Sequence, residues 1–282
     1  MAKKTFTDII DAVCGGTIED VRYLVEQQGA DVNARNEHGN LPIHYAAKWA
    51  SVEILQYLVS LGADVNAECH SGTTPLLWAA DNNSVEVLQY LVSQGADINV
   101  KMNFNGSTLL HEAAGGNSAE VLRYIVSLGV DVNAKNDHSR TPLHKAAGGC
   151  DVEAVRYLVS QGVEVNAKDE NGKTPLHFAA DHSDVEVLKY LVVQGAEVNA
   201  KDNDGMTPLH EAAASLNYTV EVLQYLLSIG ADAHAKNNNG EAPLDVVYML
   251  AETARVRDRI LREAMAQNNE NASDAEKTET QS

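Results

Sequence analysis

The sequence predicts an α-solenoid: a stack of about eight helix–turn–helix units joined by β-hairpin loops. Three observations predict it. A turn glycine recurs at Gly29, Gly62, Gly95, Gly129, Gly162, Gly195 and Gly230, with steps of 33, 33, 34, 33, 33 and 35 residues. Each glycine follows a Tyr-Leu-Val-like segment and precedes an acidic–apolar–Asn segment, as in 57–59 and 63–67. Thr-Pro-Leu-His stands intact at 141–144, 174–177 and 207–210. One such helix pair cannot bury its own apolar face, whereas stacked neighbours bury each other's.

The unit at 172–204 shows why each element forms. Thr174 is placed as an N-cap, and Pro175 takes the first helical position, where its missing N–H costs nothing. Leu176, Ala179 and Ala180 give a short helix with a small-residue face that admits a close neighbour. A second helix starts at Ser183 or Asp184, with Val185, Val187, Leu188, Leu191 and Val192 at helical spacing. Gly195 stops it in the left-handed conformation. An extended stretch, 197–202, leads to the turn Asn203-Asp204-Gly205.

Thr-Pro-Leu-His together with Gly-Ala-Asp-Val-Asn-Ala at this spacing resembles the ankyrin repeat family, over roughly residues 5–266. Units begin near Thr5, Gly39, Gly72, Gly106, Ser139, Gly172, Gly205 and Gly240. The first lacks Thr-Pro-Leu-His and the last has Ala-Pro-Leu-Asp at 242–245, so both read as terminal caps. The last cap runs into a charged helix over 252–263 that carries Arg255, Arg257, Arg259 and Arg262. Residues 1–4 form a short extension. Residues 267–282 contain nothing apolar larger than Ala and read as a disordered acidic tail.

Composition excludes several classes. With 21 Lys and Arg against 40 Asp and Glu, the formal charge is −19, which argues against a duplex nucleic-acid binder and against adsorption to anionic lipid. No run of about 18 apolar residues exists to cross a membrane, and the first residues lack a secretory signal. Cys14, Cys69 and Cys150 give neither a disulfide framework nor zinc-ligand spacing, so the expectation is an intracellular, cytoplasmic protein in a reducing compartment; a monomer is expected as well.

Catalytic and cofactor motifs fail on their spacing. His111-Glu112 and His210-Glu211 begin like a zinc-protease helix but lack the second His four residues on. Gly172-Lys173-Thr174 ends like a phosphate loop, yet Ala167 stands where that loop needs Gly. His44, His111, His144, His177 and His210 recur at one repeat position, and the family resemblance gives that imidazole a structural hydrogen bond to the loop between repeats. A non-enzymatic chain with no cofactor or metal is expected.

Positions that vary inside the fixed frame are available for recognition. Seven of the ten tyrosines occupy the repeated Tyr-Leu site and belong to the scaffold. Trp49, Trp78, Phe104 and Phe178 lie at variable positions, joined by Tyr45 and Met206. The resemblance places these positions on the concave face and hairpin tips, the family's usual binding surface. Aromatic and Arg side chains carry much of the energy at interfaces. Asp81, Glu112, Asp181 and Glu211, with Arg140 and Lys145, complete the expected partner-binding set and favour a protein partner of basic or mixed charge. Gly115-Gly116 and Gly148-Gly149 make a floor without side chains, and with Leu109 in place of Pro they mark units four and five as the softest. Unit seven carries two extra residues between its helices, within 214–219, read as a tolerated insertion. Two further functions are carried. Asn66, Asn99, Asn133, Asn166 and Asn199 sit in a pattern resembling that read by asparaginyl hydroxylases on ankyrin proteins, against which stands a simple hydrogen bond of each Asn within its own turn. The groove could instead hold a small regulatory ligand.

Overall fold

The computed structural model describes residues 6–49, 51–82, 84–116, 118–149, 151–182, 185–215, 220–246 and 259–263. The extension 1–4, Cys150, the tail 267–282 and most of the insertion in the seventh unit lie outside the described residues. Among the described residues are seven helix pairs, divided between two compact units, 1–138 and 139–282.

The first unit contains α1 (Ile9–Gly15), α2 (Ile18–Gln28), α3 (Pro42–Lys48), α4 (Val52–Ser60), α5 (Pro75–Asp81), α6 (Val85–Ser93), α7 (Leu109–Gly115) and α8 (Ala119–Ser127). The odd-numbered helices pack in sequence as one layer, α1 on α3, α3 on α5 and α5 on α7, and the even-numbered helices form a second layer behind them. The second unit contains α9 (Pro142–Gly148), α10 (Val152–Ser160), α11 (Pro175–Asp181), α12 (Val185–Val193), α13 (Pro208–Ala214) and α14 (Val220–Ser228). There α9, α11 and α13 form the first layer and α10, α12 and α14 the second.

The Ala-Ala pairs explain the close first layer. Ala46, Ala47, Ala79, Ala80, Ala113 and Ala114 are fully buried in the first unit, as are Ala146, Ala147, Ala179, Ala180 and Ala213 in the second. A methyl in each place lets two-turn helices approach nearly backbone to backbone. Second helices bury a Leu-rich stripe instead, such as Leu55 and Leu58 on α4 and Leu188 and Leu191 on α12. Gly195, with φ of 90°, lies in the left-handed region where only glycine is unstrained, as the sequence requires. Ser139, with φ of 56°, fills the equivalent of a turn glycine and is the one non-glycine with positive φ among the described residues.

The connecting hairpins are tighter than the expected β-hairpin. Among the described residues the one β-bridge is Lys101 with Thr108. Elsewhere the loop closes over five residues, for example by Asp169 N–H to the Lys173 carbonyl at 2.9 Å and Asp202 N–H to the Met206 carbonyl at 3.0 Å. Arms this short complete one rung and cannot extend a ladder.

Two side-chain clasps recur between successive repeats. His177 Nδ1 accepts from the Thr174 N–H at 3.1 Å and lies 2.9 Å from the Thr174 hydroxyl, while Nε2 faces the Met206 carbonyl of the next hairpin at 3.2 Å. His144 reaches the Lys173 carbonyl at 3.1 Å and His210 the Glu241 carbonyl at 3.2 Å in the same way. In the first unit His44 does so toward the Thr73 carbonyl at 3.0 Å. The second clasp is an asparagine. Asn66 donates to the Gly95 carbonyl at 3.1 Å and accepts from Asp97 N–H at 2.8 Å. Asn166 and Asn199 repeat this toward Gly195 and Glu197, and toward Gly230 and Asp232. These asparagines therefore do not close their own turns, as expected from the local sequence. They bridge to the following repeat, because the turn places the carboxamide beside the neighbour's equivalent turn.

Candidate functional site

In the first unit the first-helix layer carries an aromatic cluster. The end of α3 contributes Tyr45, Lys48 and, one residue beyond, Trp49, and α5 contributes Trp78 and Asp81. The Tyr45 and Trp78 rings meet edge to face with centroids 5.3 Å apart, and Trp78 also packs edge-on against His44 at 5.5 Å. The Tyr45 phenol oxygen accepts from Asn36 Nδ2 at 2.9 Å and from Asn40 Nδ2 at 3.2 Å, which fixes the ring. Lys48 Nζ lies 5.2 Å from the centre of Trp78 and 5.6 Å from that of Trp49, joining the two indoles through one ammonium. Trp49 is 56% exposed, just past the end of α3. Burial pushes the Cys14 thiol on α1 up from its ordinary pKa, with Trp49 and Lys48 acting to lower it.

The remaining predicted residues of this unit are spread out. Phe104 is 65% exposed on the hairpin before α7. Asp81 is exposed at the end of α5, and Glu112 is half-buried in the first turn of α7.

The second unit repeats the His–aromatic contact with different surroundings. Phe178 is half-buried and meets His144 edge to face at 5.5 Å, perpendicular to within measurement at 90°. The Arg140 guanidinium covers the Phe178 ring at 4.8 Å and pairs through Nε with buried Asp169 Oδ2 at 3.2 Å. Lys145 points into solvent from α9. Lys173 and Glu211 form an ion pair at 2.7 Å, with half-buried Asp181 and buried Asp202 acting on the same ammonium. Burial pushes the Glu211 carboxyl up against the pull of Lys173. Burial draws Lys173 down, but Glu211, Asp202 and Asp181 outweigh it and its pKa rises. Lys173, Asp202 and Glu211 line a cavity of about 420 Å³ that also takes in Asp204, Met206 and Glu241.

Trp78 and Phe178 thus face inward against a histidine of the preceding repeat as much as outward, whereas Trp49 and Phe104 are the large aromatics most open to solvent. Sequence reasoning missed Asp169 and Asp202. Each accepts two backbone N–H groups of its own hairpin, Asn171 and Lys173 for the former, Asp204 and Met206 for the latter. Asn36 and Asn237 hold the same position and the same pair of bonds, so an Asx recurring at the start of most hairpins, with Cys69 and Met102 as exceptions, was the available signal.

Among the described residues no group of three or more His, Cys, Asp or Glu is placed to hold a metal ion, and no helix is long and apolar enough to cross a membrane.

A paired-helix array with histidine clasps and short hairpins defines a repeat protein of the α-helical class. The chain belongs to the ankyrin repeat family: the family pattern "Ankyrin repeats (3 copies)" matches residues 9–102, 99–169 and 151–237. The crystal structure of the human ASB11 ankyrin repeat domain is similar, with a TM-score of 0.69 and 25% identity over 80% of this chain and 98% of that one. No curated protein matches the chain in sequence. Ankyrin repeats are in general protein–protein interaction modules.

Proposed function

We propose that the chain is a non-enzymatic recognition module that binds a protein of basic or mixed charge through the first-helix layer and hairpins of its repeats. The observation that carries this reading is Trp49: a large aromatic side chain more than half exposed, with the Lys48 ammonium 5.6 Å from its ring centre. An aromatic fixed before binding loses little side-chain entropy on contact, which is what makes such residues effective anchors. Phe104 offers a second exposed ring, and Tyr45 and Trp78 support the first. In the second unit Asp181, Met206 and Glu211 lie around or beside the acidic cavity, with Phe178, Arg140 and Lys145 near the start of the unit. Four carboxylates against one ammonium in that cavity suit a Lys or Arg side chain, with the Met206 thioether as apolar floor. A reducing, intracellular setting agrees with Cys14 and Cys69, both free thiols, and the reading requires only a monomer.

The test is capture of a partner from source lysate by the full chain, compared with Trp49→Ala and Phe104→Ala. Loss of one protein from both variants, with the melting transition preserved, supports the assignment. Equal capture by all three chains rejects these rings as anchors. Nothing in the geometry favours the small-ligand reading, and Asn66, Asn166 and Asn199 have a sufficient role as clasps without hydroxylation.

A further inference from the structure

The junction between the third and fourth repeats, α5–α6 against α7–α8, departs from its neighbours at every point where repeats are tied. The junction before it and those between α9 and α14 each have a histidine clasp and an asparagine clasp. At this one the histidine position is Leu77, fully buried. The Thr74 hydroxyl that such a histidine would meet is buried and has no hydrogen-bond partner. Asn99 occupies the asparagine position, but its side chain makes no hydrogen bond among the described residues, and neither do the Gly129 carbonyl and Asp131 N–H that it would join.

A change of chain length accompanies the second loss. The repeat carries one extra residue, and its hairpin closes over six residues, by Met102 N–H to the Ser107 carbonyl at 2.9 Å, where other hairpins close over five. The added residue shifts the fourth repeat's loop relative to Asn99. A cavity of about 220 Å³ opens there, lined by Ile98, Asn99, Thr108, Leu109, Leu110 and Val130. The terminal first repeat also lacks the histidine, as its cap sequence dictates, and among the described residues the Asn33 side chain makes no clasp to the second repeat.

We propose that this junction is a parting line: a place where the hairpin 102–108 and α7 open locally and come away from the third repeat while α5 and α6 stay folded. In a repeat array stability is close to a sum of repeat terms and nearest-neighbour terms, so weakening one interior interface lowers the cost of opening at that place. Trp78 lies on one side of the line and Phe104 on the other, so opening changes the spacing of two rings on the candidate surface.

The test is amide hydrogen exchange on the full chain, with no partner present, comparing the wild type with Leu77→His and His44→Leu. The expected result is that amides of the hairpin 102–108 and of α7 exchange at least about tenfold faster than those of α11 and α13, and that Leu77→His narrows the gap. His44→Leu removes the clasp one junction earlier and should produce the same fast exchange in the hairpin 69–73 and in α5. Slow exchange at 102–108 and α7, matching α11 and α13, overturns the proposal. So does a folded Leu77→His chain with unaltered exchange there. Should Leu77→His not fold, the wild-type profile and His44→Leu decide: fast exchange that follows the missing clasp supports the parting line, and indifference to His44→Leu overturns it.

Discussion

Acid should weaken this fold well before its carboxylates titrate, because its histidine clasps work only when neutral. Burial draws His144 and His177 down to a pKa of about 4, from an ordinary value of 6.5. The geometry supplies a reason as well. In each, Nδ1 accepts from the N–H of a Thr, so a proton on that nitrogen would set donor against donor. The sign follows from linkage. The unfolded chain binds protons at these imidazoles from pH 6.5 downward and the folded chain does not until about pH 4, so stability is complete above pH 6.5 and is lost as pH falls through that window. At about 1.4 kcal/mol per pH unit, each imidazole contributes roughly 3 kcal/mol of this loss. His44 and His210, also lowered by burial, act in the same direction. Glu211 acts the opposite way, because its pKa is raised. The assay is NMR titration of the imidazole resonances alongside urea midpoints between pH 7 and pH 4. His177→Leu should reduce the pH dependence by its own share while costing roughly 2–4 kcal/mol at pH 7, since the Thr174 hydroxyl loses its partner. The chain already tolerates Leu at this repeat position, at Leu77. Imidazoles of His144 and His177 titrating near their ordinary value, or urea midpoints that stay level from pH 7 to pH 4, would refute the reasoning.

Four smaller predictions follow from individual contacts. Trp78→Ala should lower stability by roughly 2–4 kcal/mol, as the ring packs on His44 and Tyr45, whereas Trp49→Ala should cost under about 1 kcal/mol; thermal melts of the two variants test the contrast. Asp169→Ala removes the acceptor for two hairpin N–H groups and the partner of Arg140, and should cost about 2–4 kcal/mol by urea denaturation. Ser139→Gly should raise the urea midpoint modestly, by no more than about 1 kcal/mol, because relief of left-handed strain exceeds glycine's added unfolded-state entropy. Gly172→Ala should lose about 1–3 kcal/mol, since its φ is 77° and an added methyl would sit 2.5 Å from Asn203 Oδ1.

The helices were legible because each is set by residues within a few positions of one another. Thr174 and Pro175 announce the start of α11 on their own, and Gly195 announces the end of the turn after α12. The five-fold recurrence of His at one position likewise identified its structural role. What stayed hidden depends on contacts about one repeat apart. Nothing near Asn66 in the chain says that its carboxamide will meet Gly95, 29 residues on. The aromatic positions show the same limit. Trp78 and Phe178 vary between repeats, which marks them as free of the frame, but each lands on the histidine 34 residues earlier, at 44 and 144. Trp49 stands just past the end of α3, where the preceding first repeat has no histidine to receive it, and it keeps more than half of its surface in solvent.

This difference changes how variability should be read in a stacked array. A variable position can be free because nothing touches it, as at Phe104, or because its neighbour is a scaffold residue that accepts many partners, as His44 and His144 do with indole and benzene edges. The two kinds separate only when the stacking offset is known. With the offset in hand, the search for recognition residues narrows to rings that pass the clasp histidine, and the search for weak points narrows to repeats where the clasp is missing. Leu77 lies immediately before Trp78, so in this chain the missing clasp and the aromatic cluster occupy the same turn of α5. A substitution there acts on both, and Leu77→His is accordingly a test of junction strength that must be scored with the Trp78 contacts to His44 and Tyr45 checked to be unchanged.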